Sequence, residues 1–134
     1  MSSRLVDTNL VVRHLTQDHL KHAATAGRLF AACDRGELTL VVLSAVLAEC
    51  VFVLESFYKK PREPVAQALI TLISSPHIEI EGLAVHLDAL NRYRRSKVHF
   101  VDCLIAAHAS DARIPIATFD ADFKKFADVQ IALD

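Results

Sequence analysis

The chain has 134 residues, 52% hydrophobic and 23% charged, with three Gly and four Pro, which suits one domain spanning residues 1–134. That composition excludes a large multidomain enzyme, a disordered chain and a collagen-like or low-complexity repeat. Fifteen basic residues against sixteen acidic ones leave a net charge of −1, so no global positive field announces a nucleic-acid partner and local patches must carry that argument.

Leu5 and Val6 read as a short apolar strand that stops at Asp7-Thr8-Asn9, and the apolar pattern resumes as a helix through Leu10, Val11, Val12 and Leu15. A second helix is expected from His19 to Asp34, ended by Arg35-Gly36-Glu37. Residues 38–43 form a β-branched and leucine-rich run that reads as a fully buried strand, with Ser44 as the candidate cap of a helix from Ala45 to Tyr58. Pro61 and Pro64 suit the start of a helix that runs to the Ser74-Ser75-Pro76 break. A short strand at Ile78 and Ile80 precedes a helix over 83–95, whose end is rich in arginine. An alanine-rich helix follows from Phe100 to Asp111, then a strand from Pro115 to Thr118, an amphipathic turn through Phe126 and an edge strand over 129–133.

Short strands alternating with helices, without an internal repeat, predict a three-layer α/β/α domain with a mostly parallel central sheet. In such sheets the working site lies beyond the carboxyl ends of the strands. Neither a basic-then-apolar leader nor an apolar run of about 18 residues is present, so a soluble cytoplasmic protein without a membrane partner is expected. Cys33, Cys50 and Cys103 lie far apart among apolar residues, as buried thiols of a reducing compartment do.

Asp7 and Asp120 each close a predicted strand, so parallel strands would bring both carboxylates to one sheet edge. Glu49 stands within the apolar run Ala45 to Leu54, where an uncompensated charge would cost several kcal/mol and calls for a metal, a base or a water-filled cleft. Asp102 begins the alanine-rich helix, with small residues Ala106 and Ala109 on its face. Four acids from separate elements predict one pocket whose repulsion is relieved by hard divalent cations such as Mg²⁺ or Mn²⁺, one or two per site. Thr8, Asn9 and Thr118 are candidates to orient a carboxylate or water, Asp122 to add a ligand or cap a turn, and Ser44 to support the site or only cap its helix. Taken singly, Asp7, Asp102 and Asp120 also suit ordinary cap and turn positions.

The ordered set Leu5-Val6-Asp7-Thr8-Asn9, Ser44 with Ala48-Glu49, Phe100-Val101-Asp102 and Thr118-Phe119-Asp120-Ala121-Asp122-Phe123 resembles the PIN-domain ribonucleases, in particular the VapC toxins of bacterial toxin-antitoxin pairs. The resemblance spans essentially the whole chain and implies a metal-dependent endoribonuclease in which Asp7, Glu49, Asp102 and Asp120 form the acidic centre. It also implies hydrolysis in line to 5′-phosphate and 3′-hydroxyl ends, a homodimer, and a cognate antitoxin covering the cleft. Asn9 and Thr118 fit supporting positions, Asp122 an acidic position whose metal contact varies, and Cys103 stands where alanine is common.

An acidic centre repels RNA, so basic residues must steer the backbone, and Arg13, Lys59, Lys60, Arg92, Arg94, Arg95 and Lys97 are the candidates. Lys124 and Lys125 read as a solvated face, while Tyr58 and Tyr93 are open to base stacking or an interface role. A catalytically silent binding protein on the same fold is the alternative. A receiver-like Mg²⁺-binding phosphoacceptor fits less well, because it needs an acidic pair after the first strand and a late lysine. A dehalogenase-type phosphatase would want a second acid just after Asp7.

Overall fold

The computed structural model describes residues 2–134 and divides into two compact units, one ending at Leu83 and one running from Ala84 to Asp134. In the first unit, β1 (Ser2–Leu5), β2 (Leu38–Val41) and β3 (Ile78–Glu79) form a parallel sheet in that order. The register pairs Ser2 with Leu38 and Leu40 with Ile78. The class is the expected three-layer α/β/α fold with a mostly parallel sheet.

The central place of β2 explains its composition. It is paired on both edges, and Leu38, Thr39, Leu40 and Val42 are buried, so an unbroken apolar run replaces the alternation of a half-exposed strand. β1 lies at the sheet edge and all four of its residues are exposed. The strand ends before Val6, whose N–H still donates to the Val41 carbonyl at 3.1 Å.

Around the sheet, α1 (Thr8–Thr16), α2 (Leu20–Asp34), α3 (Ser44–Phe52) and α4 (Arg62–Ser74) follow the expected spans closely. α2 is capped by His19, whose Nδ1 accepts from the His22 N–H at 3.1 Å. The His14 ring of α1 stacks on Phe30 of α2, with centroids 4.1 Å apart. The turn after α2 needs Gly36: its φ is +76°, and a Cβ there would lie 3.3 Å from the His77 imidazole.

Two expectations are corrected in the first unit. The helix foreseen to Tyr58 stays α-helical only to Phe52 and widens into one π turn over Val53–Phe57, which the Tyr58 N–H closes on the Val53 carbonyl at 3.2 Å. Ser44 is not the cap of α3; Leu43 holds that position and Ser44 is the first helical residue.

The second unit contains α5 (Leu83–Arg94), apart from its first residue, and α6 (Phe100–Ala112), followed by a 3₁₀ turn over Ala121–Lys125. Ala106, Ile116 and Phe123 form its apolar cluster, with Ala109, Phe126, Val129 and Ile131 against it. The small side chains of α6 therefore admit the chain that follows them. The strands foreseen at 115–118 and 129–133 shrink to a single parallel bridge between Ile116 and Ile131. Pro115 has no N–H to extend that ladder, and the Thr118 hydroxyl draws the Asp120 N–H into a turn at 2.9 Å.

Leu40 is fully buried in the central strand, whereas Leu20 is 83% exposed at the start of α2. Leu40→Ala is expected to lower unfolding free energy by about 2–5 kcal/mol, and Leu20→Ala by less than about 0.5 kcal/mol, in urea denaturation followed by circular dichroism.

Candidate active site

In the first unit, the chain leaves β1 and turns into α1 at Asp7. Its carboxylate accepts from the Leu10 N–H at 2.9 Å, so the acid is also the helix cap. Thr8 and Asn9 start the helix, Thr8 with its side chain buried. Glu49 lies on α3, and together with Asp7, Thr8, Asn9, Ala45 and Val46 it lines an open hollow of about 300 Å³.

Glu49 is exposed there, so of the remedies its apolar neighbours call for, a metal, a base or a water-filled cleft, the open hollow is the one this surface provides. Ala45, Glu49 and Phe52 share the exposed face of α3, and Leu47, Cys50 and Val51 face inward. The acid meets solvent and Asp7, not the core. Cys50, buried behind this face, registers both acids: burial first, then the charges of Glu49 and Asp7, push its thiol up to about 12. The thiol is therefore neutral at physiological pH and contributes no ligand charge.

In the second unit, Asp102 occupies the first turn of α6. Burial, then the negative charge of Asp120, raises its carboxyl above the ordinary range, with Asp122 adding to the rise and His99 opposing it. Asp120 caps the 3₁₀ turn and accepts from the Asp122 N–H at 2.9 Å. The Thr118 hydroxyl accepts from the Asp120 N–H and so holds this loop. His99 occupies the N-cap position of α6, and its attraction for Asp102 is visible only in three dimensions.

The structure thus brings Asp7 together with Glu49, and Asp102 with Asp120 and Asp122. Among the described residues no group of three or more His, Cys, Asp or Glu side chains is gathered as a ready-made metal cage. The donors present are carboxylate oxygens facing solvent, the chemistry that hard cations such as Mg²⁺ and Mn²⁺ select. Either group could contribute ligands while bound waters complete the shell.

Several basic and aromatic candidates have structural employment instead. Arg13 pairs with Asp18 at 3.1 Å, and the Tyr58 hydroxyl donates to the same carboxylate at 2.6 Å. The hydrogen bonds from Tyr58 and Thr16, more than the Arg13 charge, hold Asp18 down to about 2. Tyr58 is therefore a clasp between α1 and the π turn, not a free stacking platform. Tyr93 is fully buried against Phe100, edge to face at 6.0 Å, and cannot meet a base.

Arg92 is also withdrawn from recognition. Its guanidinium bonds Asp88 at 3.1 Å and grips Asp128 with two nitrogens, one of them at 2.8 Å, while it lies over the Phe126 ring. Arg94 donates to the Asn91 side chain at 3.1 Å. Lys59 and Lys60 are exposed in the turn after the π segment, where Lys59 takes a left-handed φ of +57°. Arg95 and Lys97 are exposed in the loop between α5 and α6. The three cysteines are buried free thiols, and among the described residues no helix is long and apolar enough to cross a membrane.

A family model described as "PIN domain" matches residues 4–129. A VapC ribonuclease of Aquifex aeolicus (strain VF5) is 26% identical over 123 residues, covering 91% of this chain and 90% of the relative. A crystal structure of Mycobacterium tuberculosis VapC20, titled a sarcin-ricin loop cleaving toxin, covers 96% of this chain and 98% of its own at 23% identity, with a TM-score of 0.42.

Two outcomes follow from these caps and charges. Asparagine caps as well as aspartate, so Asp7→Asn should leave the unfolding midpoint close to wild type, whereas Asp7→Ala should cost about 0.5–2 kcal/mol in urea denaturation. Asp102, whose folded pKa lies above its ordinary 3.8, favours folding only while protonated, and that advantage disappears as pH rises through the raised value. In metal-free buffer at pH 7, Asp102→Asn should therefore raise the urea midpoint, by an amount that narrows as the pH falls toward 4.

Proposed function

The chain belongs to the PIN-domain family, and from that premise we propose that it is a divalent-metal-dependent endoribonuclease acting as the toxin of a toxin-antitoxin pair. The observation that carries the proposal is the placing of Asp7 and Glu49 around one open hollow, with Asp102 near enough to Asp120 and Asp122 for their charges to add to burial in raising its carboxyl. A purely structural acid gains nothing from such a neighbour, whereas a cation ligand needs one. The similarity to a ribonuclease over 91% of the chain supports the same reading.

On this reading Asp7, Glu49, Asp102 and Asp120 hold one or two Mg²⁺ or Mn²⁺ ions, and Asp122 stands beside them as an auxiliary acid. Divalent cations, when bound, supply Lewis acidity toward the phosphate and neutralise charge on the departing oxygen. The protein's part is positional. Asp7 is fixed by its own cap bond, Asp120 by Thr118 and the Asp122 N–H, and Asn9 and Thr8 border the hollow beside Asp7. Hydrolysis forms a new P–O bond from water and breaks the P–O3′ bond, so the products carry 5′-phosphate and 3′-hydroxyl ends. No side chain has to form a covalent intermediate.

We place a homodimer and an antitoxin in the same proposal. Leu20, Phe52 and Phe57 are exposed on the helical segments between 19 and 75, and apolar side chains of this kind suit partner contacts.

Purified protein free of any partner should cut end-labelled structured RNA at discrete sites with Mn²⁺ or Mg²⁺, leaving 5′-phosphates. EDTA or Asp7→Asn should reduce cleavage by at least about a hundredfold, the scale of a lost charge-stabilising group. Absence of cuts from folded wild type across tRNA, ribosomal RNA and messenger substrates would instead identify a catalytically silent PIN-fold binding protein.

A further inference from the structure

Within the second unit, the end of α5, the loop after it and the 3₁₀ turn enclose a pocket of about 400 Å³. Its wall carries four cations, Arg92, Arg95, Lys97 and Lys125, against one carboxylate, Asp88. Asp128 and Asp122, which pair with Arg92 and Lys125, bring the balance to four cations against three carboxylates, a modest local excess in a chain of net charge −1. The cations do not play equal parts. Arg92 is committed to Asp88 and Asp128 and forms a rigid back wall over Phe126. Arg95 and Lys97 stand exposed on the loop. Ser96 between them holds that loop in place, donating to the Arg92 carbonyl at 2.8 Å and accepting from the Val98 N–H at 3.2 Å. The loop is thus preorganised, and little order has to be gained when an anion enters.

We propose that this pocket is a phosphate subsite for the RNA backbone, with Arg95 and Lys97 as positioning residues and Lys125 as the link to the acidic group. The inference rests on the endoribonuclease reading above and adds where the substrate is held. Lys125 pairs with Asp122 at 3.4 Å, and both side chains are about half exposed. Such a pair is weak and can be exchanged for a phosphate oxygen. The Asp122 N–H in turn donates to the Asp120 carboxylate at 2.9 Å, so the basic pocket and the acidic group meet at one ion pair. A chain of phosphates is the anion that serves this arrangement: one phosphate neutralises the pocket while a neighbour lies toward the acids. An isolated acidic side chain would satisfy the pocket alone.

The test is fluorescence anisotropy of a labelled single-stranded oligoribonucleotide in EDTA across a series of NaCl concentrations, for wild type, the double variant Arg95→Ala/Lys97→Ala, its charge-conserving counterpart Arg95→Lys/Lys97→Arg, and Lys21→Ala as a control from an exposed position of α2. The alanine pair should weaken binding at least tenfold at low salt and flatten the log–log salt slope by roughly 1.4, about 0.7 for each lost phosphate contact on a single strand. The charge-conserving pair should restore the slope, and Lys21→Ala should match wild type. With Mn²⁺ present, the alanine pair should raise KM and leave kcat near wild type. Equal affinity and slope for the alanine pair and a wild type that cleaves RNA would overturn the subsite while leaving the nuclease reading intact. Displacement of the RNA by polyglutamate more readily than by unlabelled RNA of equal charge would also overturn it, in favour of an acidic protein ligand. A folded wild type that neither binds nor cleaves RNA would overturn both readings.

Discussion

Like charges repel, and the placement of this protein's carboxylates is governed by how that repulsion is tolerated. Three of the four acids proposed as ligands stand at the N-terminal ends of helical segments. Asp7 caps α1, Asp102 lies in the first turn of α6, and Asp120 caps the 3₁₀ turn. Unpaired N–H groups at such ends favour negative charge, typically by 0.3–1 kcal/mol at an exposed site. The same geometry that suits each acid to a helix end thus sets it where a second carboxylate is near. Glu49 has no helix end to help it; it depends on water, which its exposed face on α3 supplies.

The distinction between structural and recognition charge follows a second physical rule, that a cation already satisfied by carboxylates has little field left to offer. Arg92 and Arg13 are spent this way. Arg92 ties α5 to the segment holding Asp128, and this pairing, more than any other cause, holds Asp128 down to about 2. Asp128 therefore stabilises the fold once pH exceeds the ordinary carboxylate range, and its contribution fades only as pH falls toward 2. Arg95, three residues beyond Arg92 and with its side chain in solvent, has the same formal charge and a different physical role.

The run of helices was legible in the sequence because caps and breakers mark their ends: His19 and Gly36 bracket α2, and Pro61 and the Ser-Ser-Pro segment bracket α4. The late strands were not, since apolar content at 115–118 and 129–133 says nothing of how many N–H groups remain to pair once Pro115 and the Thr118 turn have taken their share. The acids were legible as types and positions, whereas the face that Glu49 takes on its helix was not. Sequence neighbours predict burial only if the helix face is known, and α3 turns Glu49 outward while its apolar neighbours turn in. The basic residues were least legible, because net charge at a position is indifferent to whether a carboxylate 36 residues away, such as Asp128 for Arg92, has claimed it.

These strands of argument join at Asp122 and Lys125. Asp122 donates its backbone N–H to Asp120 and so helps fix that carboxylate, while its own side chain adds to the field that keeps Asp102 protonated to higher pH. That field costs the folded protein stability whenever Asp102 is ionised, while Lys125 meets Asp122 in an exposed pair of modest strength. A stronger, buried partner would relieve the acids more fully but would also compete with the cation they are proposed to hold. On the proposed reading, so weak a pair leaves Asp122 exchangeable, as a site in which stability is given up for binding requires.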